Sequence, residues 1–207
     1  MDTDSGARAE RVLEGYAAAG ADWIARSDGL DPERIYAPVL DFLPGMPATV
    51  LDLGAATGRD AAWLAGRGHQ VTAVEPVAEL RRAGQRLHPD CAIDWVDDRL
   101  PALERLGTRG FGLVLANGVL HHLDADAQGR ALMRMAELTA PGGLAIAALR
   151  HGPAPADRPG WPVDVEALLA VAQAGGLALA RRVDKGSIQP QNWAVGVTWT
   201  WLALARA

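Results

Sequence analysis

Cysteine is almost absent: Cys91 is alone in 207 residues. A single thiol excludes an internal disulfide and any zinc cluster built on cysteines, and it fits a reducing compartment. Phenylalanine and tyrosine are scarce, two of each against seven tryptophans. No apolar run is long enough to cross a membrane. The opening stretch also lacks the basic segment, apolar core and cleavage site of a secretory leader. The expected location is the cytoplasm, with no membrane partner. Net positive charge is missing too. A formal charge of −5 argues against broad electrostatic binding to nucleic acid, while leaving a specific nucleic-acid substrate open. No internal repeat, low-complexity tract or second domain is evident, and 207 residues suffice for one substantial core.

What is present centres on residues 49–60, Thr-Val-Leu-Asp-Leu-Gly-Ala-Ala-Thr-Gly-Arg-Asp. The apolar run 49–53 predicts a strand buried on both faces. Gly54 and Gly58 predict a tight turn, and from Asp60 the pattern becomes helical. A strand, a glycine turn and a helix N-terminus are the parts of a nucleotide-binding crevice. The spacing is not the G-x-G-x-x-G of dinucleotide enzymes, and no Gly-Lys-Ser/Thr makes it a P-loop. Glu75 ends a second predicted strand, 70–74, at 23 positions beyond Asp52. An acidic residue there is placed to accept ribose hydroxyls.

Asp52-x-Gly54-x-x-x-Gly58 resembles motif I of the class I S-adenosylmethionine-dependent methyltransferases. The usual form is Asp-x-Gly-x-Gly-x-Gly, so Ala56 departs at the middle glycine and narrows the space beside the methionine portion of the cofactor. Further points of similarity follow in series: Glu75, the acidic pair Asp97-Asp98 after a third strand, the exit of a fourth strand at 117–123, and Ala140-Pro141-Gly142-Gly143 before a fifth. The resemblance covers residues 50–205. It implies an α/β, Rossmann-like, seven-stranded sheet with helices on both faces and the last strand antiparallel. It implies S-adenosylmethionine held by Asp52, Gly54, Ala55, Ala56, Gly58, Asp60, Glu75, Pro76 and Asn117. Asp98, or else Asp97, would accept from the adenine amino group. Residues 1–48 would form a helical lid over a methyltransferase domain at 49–207.

The expected reaction is methyl transfer to a nitrogen or oxygen of a small-molecule acceptor. The absence of Asn-Pro-Pro-aromatic after the fourth strand argues against nucleobase and protein amide acceptors. A cofactor-binding protein without methyl transfer is the alternative. Candidates for a catalytic base are His151, beside Arg150 at the end of the fifth strand, and the adjacent His121 and His122. Side chains adjacent on a helix point about 100° apart, so the two make poor joint ligands and no metal site is expected. Tyr16 either meets the ligand from the lid or packs on its own helix. Trp63 and Trp95 read as core, while Trp161 and Trp193 are open between core and pocket wall.

Overall fold

In the computed structural model, which describes residues 3–207, the strand before the glycine turn is β1, Thr49–Leu53, buried over its last four residues. It is buried because it lies inside the sheet and is covered on both sides. β2 (Gln70–Val74) and β4 (Phe111–Asn117) pair with it in parallel, β3 (Ile93–Val96) extends β2, and β5 (Thr139–His151) extends β4. β7 (Thr198–Arg206) runs antiparallel between β5 and β6 (Leu177–Gly186). The order is β3-β2-β1-β4-β5-β7-β6. This is the expected seven-stranded sheet with its last strand antiparallel.

Alternation along each strand divides the core into two layers. Leu51, Leu53, Val114 and Leu204 face Leu132 and Met135 of α6 (Ala125–Leu138) and Leu168 of α7 (Val165–Ala174). Val50, Leu113, Ile146 and Trp201 face Tyr36 of α3 (Pro32–Tyr36) and Leu64 of α4 (Arg59–Gly66). Helix α5 (Ala78–Leu87) follows β2, its Leu80 and Ala83 buried, Arg82 and Arg86 outward, and Arg81 turned back onto the Glu75 and Pro76 carbonyls.

The N-terminal segment begins with two helices, α1 (Thr3–Ala17) and α2 (Ala21–Asp28), separated at Gly20, whose backbone is extended; Met1 and Asp2 lie outside the described residues. The Ala140-Pro141-Gly142-Gly143 stretch is absorbed into β5 as an irregularity: Phe111 pairs with Thr139, but Leu113 pairs with Leu144. After β3 the chain forms a turn and a short 3-10 segment, Glu104–Leu106. A five-residue helix, α8 (Pro190–Ala194), interrupts the connection to β7 because Pro190 is favourable in a first helical turn. No helix among the described residues is long and apolar enough to cross a membrane.

Leu113 is fully buried in the middle of β4. Leu113→Ala should destabilise the fold by about 2–5 kcal/mol, the scale of a leucine cavity in a close-packed core. Urea denaturation checks this, and a loss below about 1 kcal/mol would mean the layer collapses around the gap.

Candidate active site

The carboxyl ends of β1, β2 and β4 open into one cavity of about 970 Å³. Its far wall is α1 and α2. At the β1 exit the backbone is left-handed at Gly54 (φ 68°), Ala56 (φ 51°) and Gly58 (φ 78°). Glycine takes this conformation freely, whereas alanine carries a cost of about 1–2 kcal/mol. Ala56 is held there by its N–H, which donates to Glu75 Oε2 at 2.8 Å. The Val77 N–H donates to Glu75 Oε1 at 2.9 Å. Gly58 stands behind the cavity wall: a Cβ there would lie 2.7 Å from the Trp95 ring.

Glu75 is 5% exposed, and burial raises its carboxyl above the ordinary range, opposed by the Val77 and Ala56 N–H groups and by Arg81. A carboxylate accepts about four hydrogen bonds, so two remain for a ligand's hydroxyls. Asp52 and Asp60 form a coupled buried pair. Burial pushes the Asp52 carboxyl up, and the Asp60 charge pushes it further. Burial pushes Asp60 up too, but Arg59, Asn117 and Tyr36 more than reverse this and hold it low. Asp60 Oδ1 accepts from Arg59 Nε at 2.7 Å; Oδ2 accepts from Tyr36 Oη and from Asn117 Nδ2, both at 2.9 Å. Asp52 Oδ2 is buried without a partner in the cavity wall. That orphaned acceptor suits a cationic ammonium group.

The rest of the cofactor-side residues separate cleanly. Gly54, Ala55, Ala56, Asp60, Pro76 and Asn117 line the cavity. Of the acidic pair, Asp98 lines it and accepts from the N–H groups of Arg99 (2.8 Å) and Arg105 (2.7 Å). Asp97 turns outward to an ion pair with Arg81 at 2.8 Å.

At the other end of the cavity Tyr16 Oη and His122 Nε2 are 3.0 Å apart, and His122 Nδ1 is 3.0 Å from the Pro159 carbonyl. A carbonyl only accepts, so Nδ1 carries the proton and Nε2 accepts from the tyrosine hydroxyl. Burial pushes the His122 imidazole down to about 4, against the opposing Pro159 bond, and the charges of Arg150 and Arg158 add to the effect. Burial pushes the Tyr16 phenol up to about 12, with Arg158 opposing. His121 is also held well below its ordinary range by burial and by His122, and its Nδ1 has no partner. The expected divergence of the two rings is not observed. In the 3-10 turn Leu120–His122 their centroids are 3.9 Å apart. Among the described residues no group of three His, Cys, Asp or Glu is arranged to hold a metal ion.

His151 stands apart from this arrangement, contrary to its reading as a base at the acceptor. It lies within β5, its Nε2 is 3.0 Å from Thr200 Oγ1, and it lines a smaller neighbouring recess rather than the main cavity. The strand runs two residues farther than its apolar pattern, which turns the side chain toward β7. Trp161 joins the cavity wall with the Arg8 guanidinium 4.3 Å from its ring centroid, whereas Trp193 is 70% exposed and outside it. Trp63 and Trp95 pack against the α3–α4 side of the core as expected. The sequence reading passed over Arg59, Trp23 and Arg158, all of which line the cavity. Arg59, adjoining the glycine turn, carried a usable signal; Arg158, in a Pro/Gly-rich loop, carried none.

A glycine-turn crevice with a buried acid at the second strand's end, on this sheet topology, has the form of the class I methyltransferase fold. Residues 50–143 match the family model described as a methyltransferase domain. Residues 50–143 thus carry the matching domain, and over nearly its whole length the chain has the fold of the class I S-adenosylmethionine-dependent methyltransferases. An uncharacterized methyltransferase of Mycobacterium tuberculosis is 36% identical over 109 residues, 52% of this chain and 54% of the relative. The chain thus spans about half the length of the curated relatives it matches. Among solved structures, 1,6-didemethyltoxoflavin-N1-methyltransferase of Burkholderia thailandensis superposes with a TM-score of 0.74 at 23% identity, covering 98% of this chain and 90% of that one. The N-methyltransferase NodS of Bradyrhizobium japonicum gives a TM-score of 0.73 at 18% identity, covering 96% and 98%.

Glu75→Ala should weaken S-adenosylmethionine binding by about 1.5–3 kcal/mol, the scale of hydrogen bonds to a charged group. Unchanged affinity by calorimetry in a folded variant would remove Glu75 from the ribose site. A second expectation concerns acid stability. With His122 held neutral down to about pH 4, the unfolded chain binds more protons at this position than the folded one between roughly pH 6.5 and 4. His122 therefore subtracts stability as pH falls through that window. On acidification the wild type should lose up to about 3 kcal/mol more than His122→Asn. Parallel stability-versus-pH curves, from urea midpoints, would mean that the imidazole charges freely in the fold.

Proposed function

We propose that this protein transfers a methyl group from S-adenosylmethionine to a nitrogen or oxygen of a small molecule. One observation carries the reading: a single cavity joins the glycine turn and Glu75 to the Tyr16–His122 pair. Its volume of about 970 Å³ lies at the upper end of the ~300–1,000 Å³ range of small-molecule sites. Such a volume suits a cofactor with a compact acceptor. The printed names of the structural neighbours include enzymes that act on small molecules, which supports the same class of acceptor.

S-adenosylmethionine, when bound, supplies an electrophilic methyl group on a sulfonium. Glu75 would hold its ribose hydroxyls, Asp52 its ammonium group, and Asp98 the adenine side. α1 and α2 act as the cover that excludes water and fixes the acceptor, so alignment supplies much of the rate. Where the acceptor carries a proton, Tyr16 Oη takes it while its own proton moves to His122 Nε2. The Pro159 carbonyl then keeps the imidazolium oriented. This assigns the base role to Tyr16 and His122, with His121 as packing beneath them and His151 remote. The single cysteine fits a reducing compartment such as the cytoplasm.

The test is turnover, measured as S-adenosylhomocysteine formation with an acceptor found by screening small molecules. Tyr16→Phe and His122→Ala should leave cofactor affinity within about twofold and lower kcat by about 10²–10⁴-fold, with the acidic limb of the pH profile displaced. His151→Ala should fall least. Equal turnover in these variants and in His121→Ala would leave alignment alone as the mechanism. Cofactor binding without turnover on any acceptor would favour a non-transferring role.

A further inference from the structure

The acceptor end of the cavity contains two guanidiniums: Arg150 has no carboxylate partner among the described residues, and Arg158 has only the exposed Asp157, at 3.5 Å. Arg150, at the end of β5, lines the cavity and is partly buried. Burial lowers its pKa, and the opposing influence comes from Tyr16. Its hydrogen bonds go to the carbonyls of Gly152 and Pro153, and among the described residues no carboxylate lies within 4 Å of it. Arg158 is 18% exposed in its side chain, with its guanidinium 5.2 Å from the Tyr16 ring and 5.5 Å from the Trp23 ring. Its Nε is buried without a hydrogen bond, since Asp157 at 3.5 Å is too poorly placed to accept one.

The position of this second arginine is fixed by packing. At Gly15 on α1 a Cβ would fall 2.1 Å from the Asp157 carbonyl oxygen. The loop is therefore pressed against the helix that carries Tyr16. The acids at the cofactor end have their own roles, as described above, and do not compensate the two guanidiniums. A partly buried arginine without a carboxylate is costly, and a charged ligand is the ordinary partner that offsets it.

We infer that the methyl acceptor carries a compact oxyanion, such as a carboxylate, bound by Arg150 and Arg158 beside Tyr16. The anion is an anchor, and the atom that receives the methyl group is a second group on the same molecule. The inference rests on the methyl-transfer reading and narrows its acceptor class. It also supplies what the Tyr16–His122 pair lacks. Arg150 and Arg158 disfavour a proton on His122, and a bound anion cancels that field. Proton uptake at Nε2 then becomes easier only when the acceptor is in place.

The test uses the full chain loaded with S-adenosylhomocysteine and a panel of aromatic and aliphatic carboxylic acids, each beside its own primary amide. Thermal shift finds the hits and calorimetry measures them. Hits should be acids, at least tenfold tighter than their amides. Arg150→Gln and Arg158→Gln should each reduce that preference at least fivefold, with Arg→Lys at either position restoring part of it. S-adenosylhomocysteine affinity within threefold of wild type certifies the folded cofactor site in every variant. Hits confined to neutral or cationic compounds, no acid hit at all, or acid binding retained in both glutamine variants would overturn the inference while leaving methyl transfer standing. Failure of the wild type to bind S-adenosylhomocysteine would instead overturn the functional reading itself.

Discussion

The Asp60 carboxylate is the fixed charge around which the cofactor end is assembled. It is 6% exposed and accepts from Arg59, Tyr36 and Asn117, which come from the glycine turn, the N-terminal segment and the end of β4. A buried carboxylate persists only when its lone pairs are satisfied, and removing one partner of such a group costs about 3–5 kcal/mol. Its place in the first turn of α4 also puts it where the helix dipole favours an anion. By taking the ionised role, Asp60 leaves Asp52 as the acid with a free oxygen toward the cavity. One carboxylate thus sets the shape of the turn and the other faces the ligand.

The two ends of the cavity differ in electrostatic character, which follows from which strands supply them. β1 and β2 end in Asp52 and Glu75, carboxyls that burial holds up and whose remaining oxygen lone pairs face the cavity. β5 and the loop after it end in Arg150 and Arg158, around an imidazole kept neutral. The same low-dielectric enclosure produces both effects. It penalises whichever charge is not paired, so it raises acids at one end and lowers bases at the other.

The central strands were legible because a buried parallel strand has a short apolar pattern with a clear stop: Thr49–Leu53 and Gln70–Val74 appear with the bounds the sequence indicated. Glu75 was legible from its spacing alone. Less legible was anything decided between distant segments. Adjacency kept Asp97 as the alternative to Asp98, and Arg81 from α5 turns Asp97 away. His151 looked suitable because strand ends face the crevice, but at the end of β5 its ring turns to Thr200 of β7 and lines a neighbouring recess. Tyr16 had two readings from its own helix, and the partner that decides between them, His122, lies 106 positions along the chain.

The end of α2, at the rim of the cavity, is held by few hydrogen bonds. Arg59 Nη1 donates to the Ser27 carbonyl at 2.9 Å, and Asp28 receives Thr57 Oγ1 at 3.2 Å and stands 3.1 Å from His88 Nε2. Each such bond contributes about 0.5–1.5 kcal/mol net, so a few kcal/mol separate the shut form from one in which the end of α2 swings free. Ser27, Thr57 and Arg59 all line the cavity, so a ligand leaving past α2 would have to break these bonds. In the proposed reaction that opening would make release, rather than chemistry, the slow step, as in many enzymes with closing segments. Its kinetic signature is a burst of product equal to the enzyme concentration in the first turnover, followed by a slower steady rate.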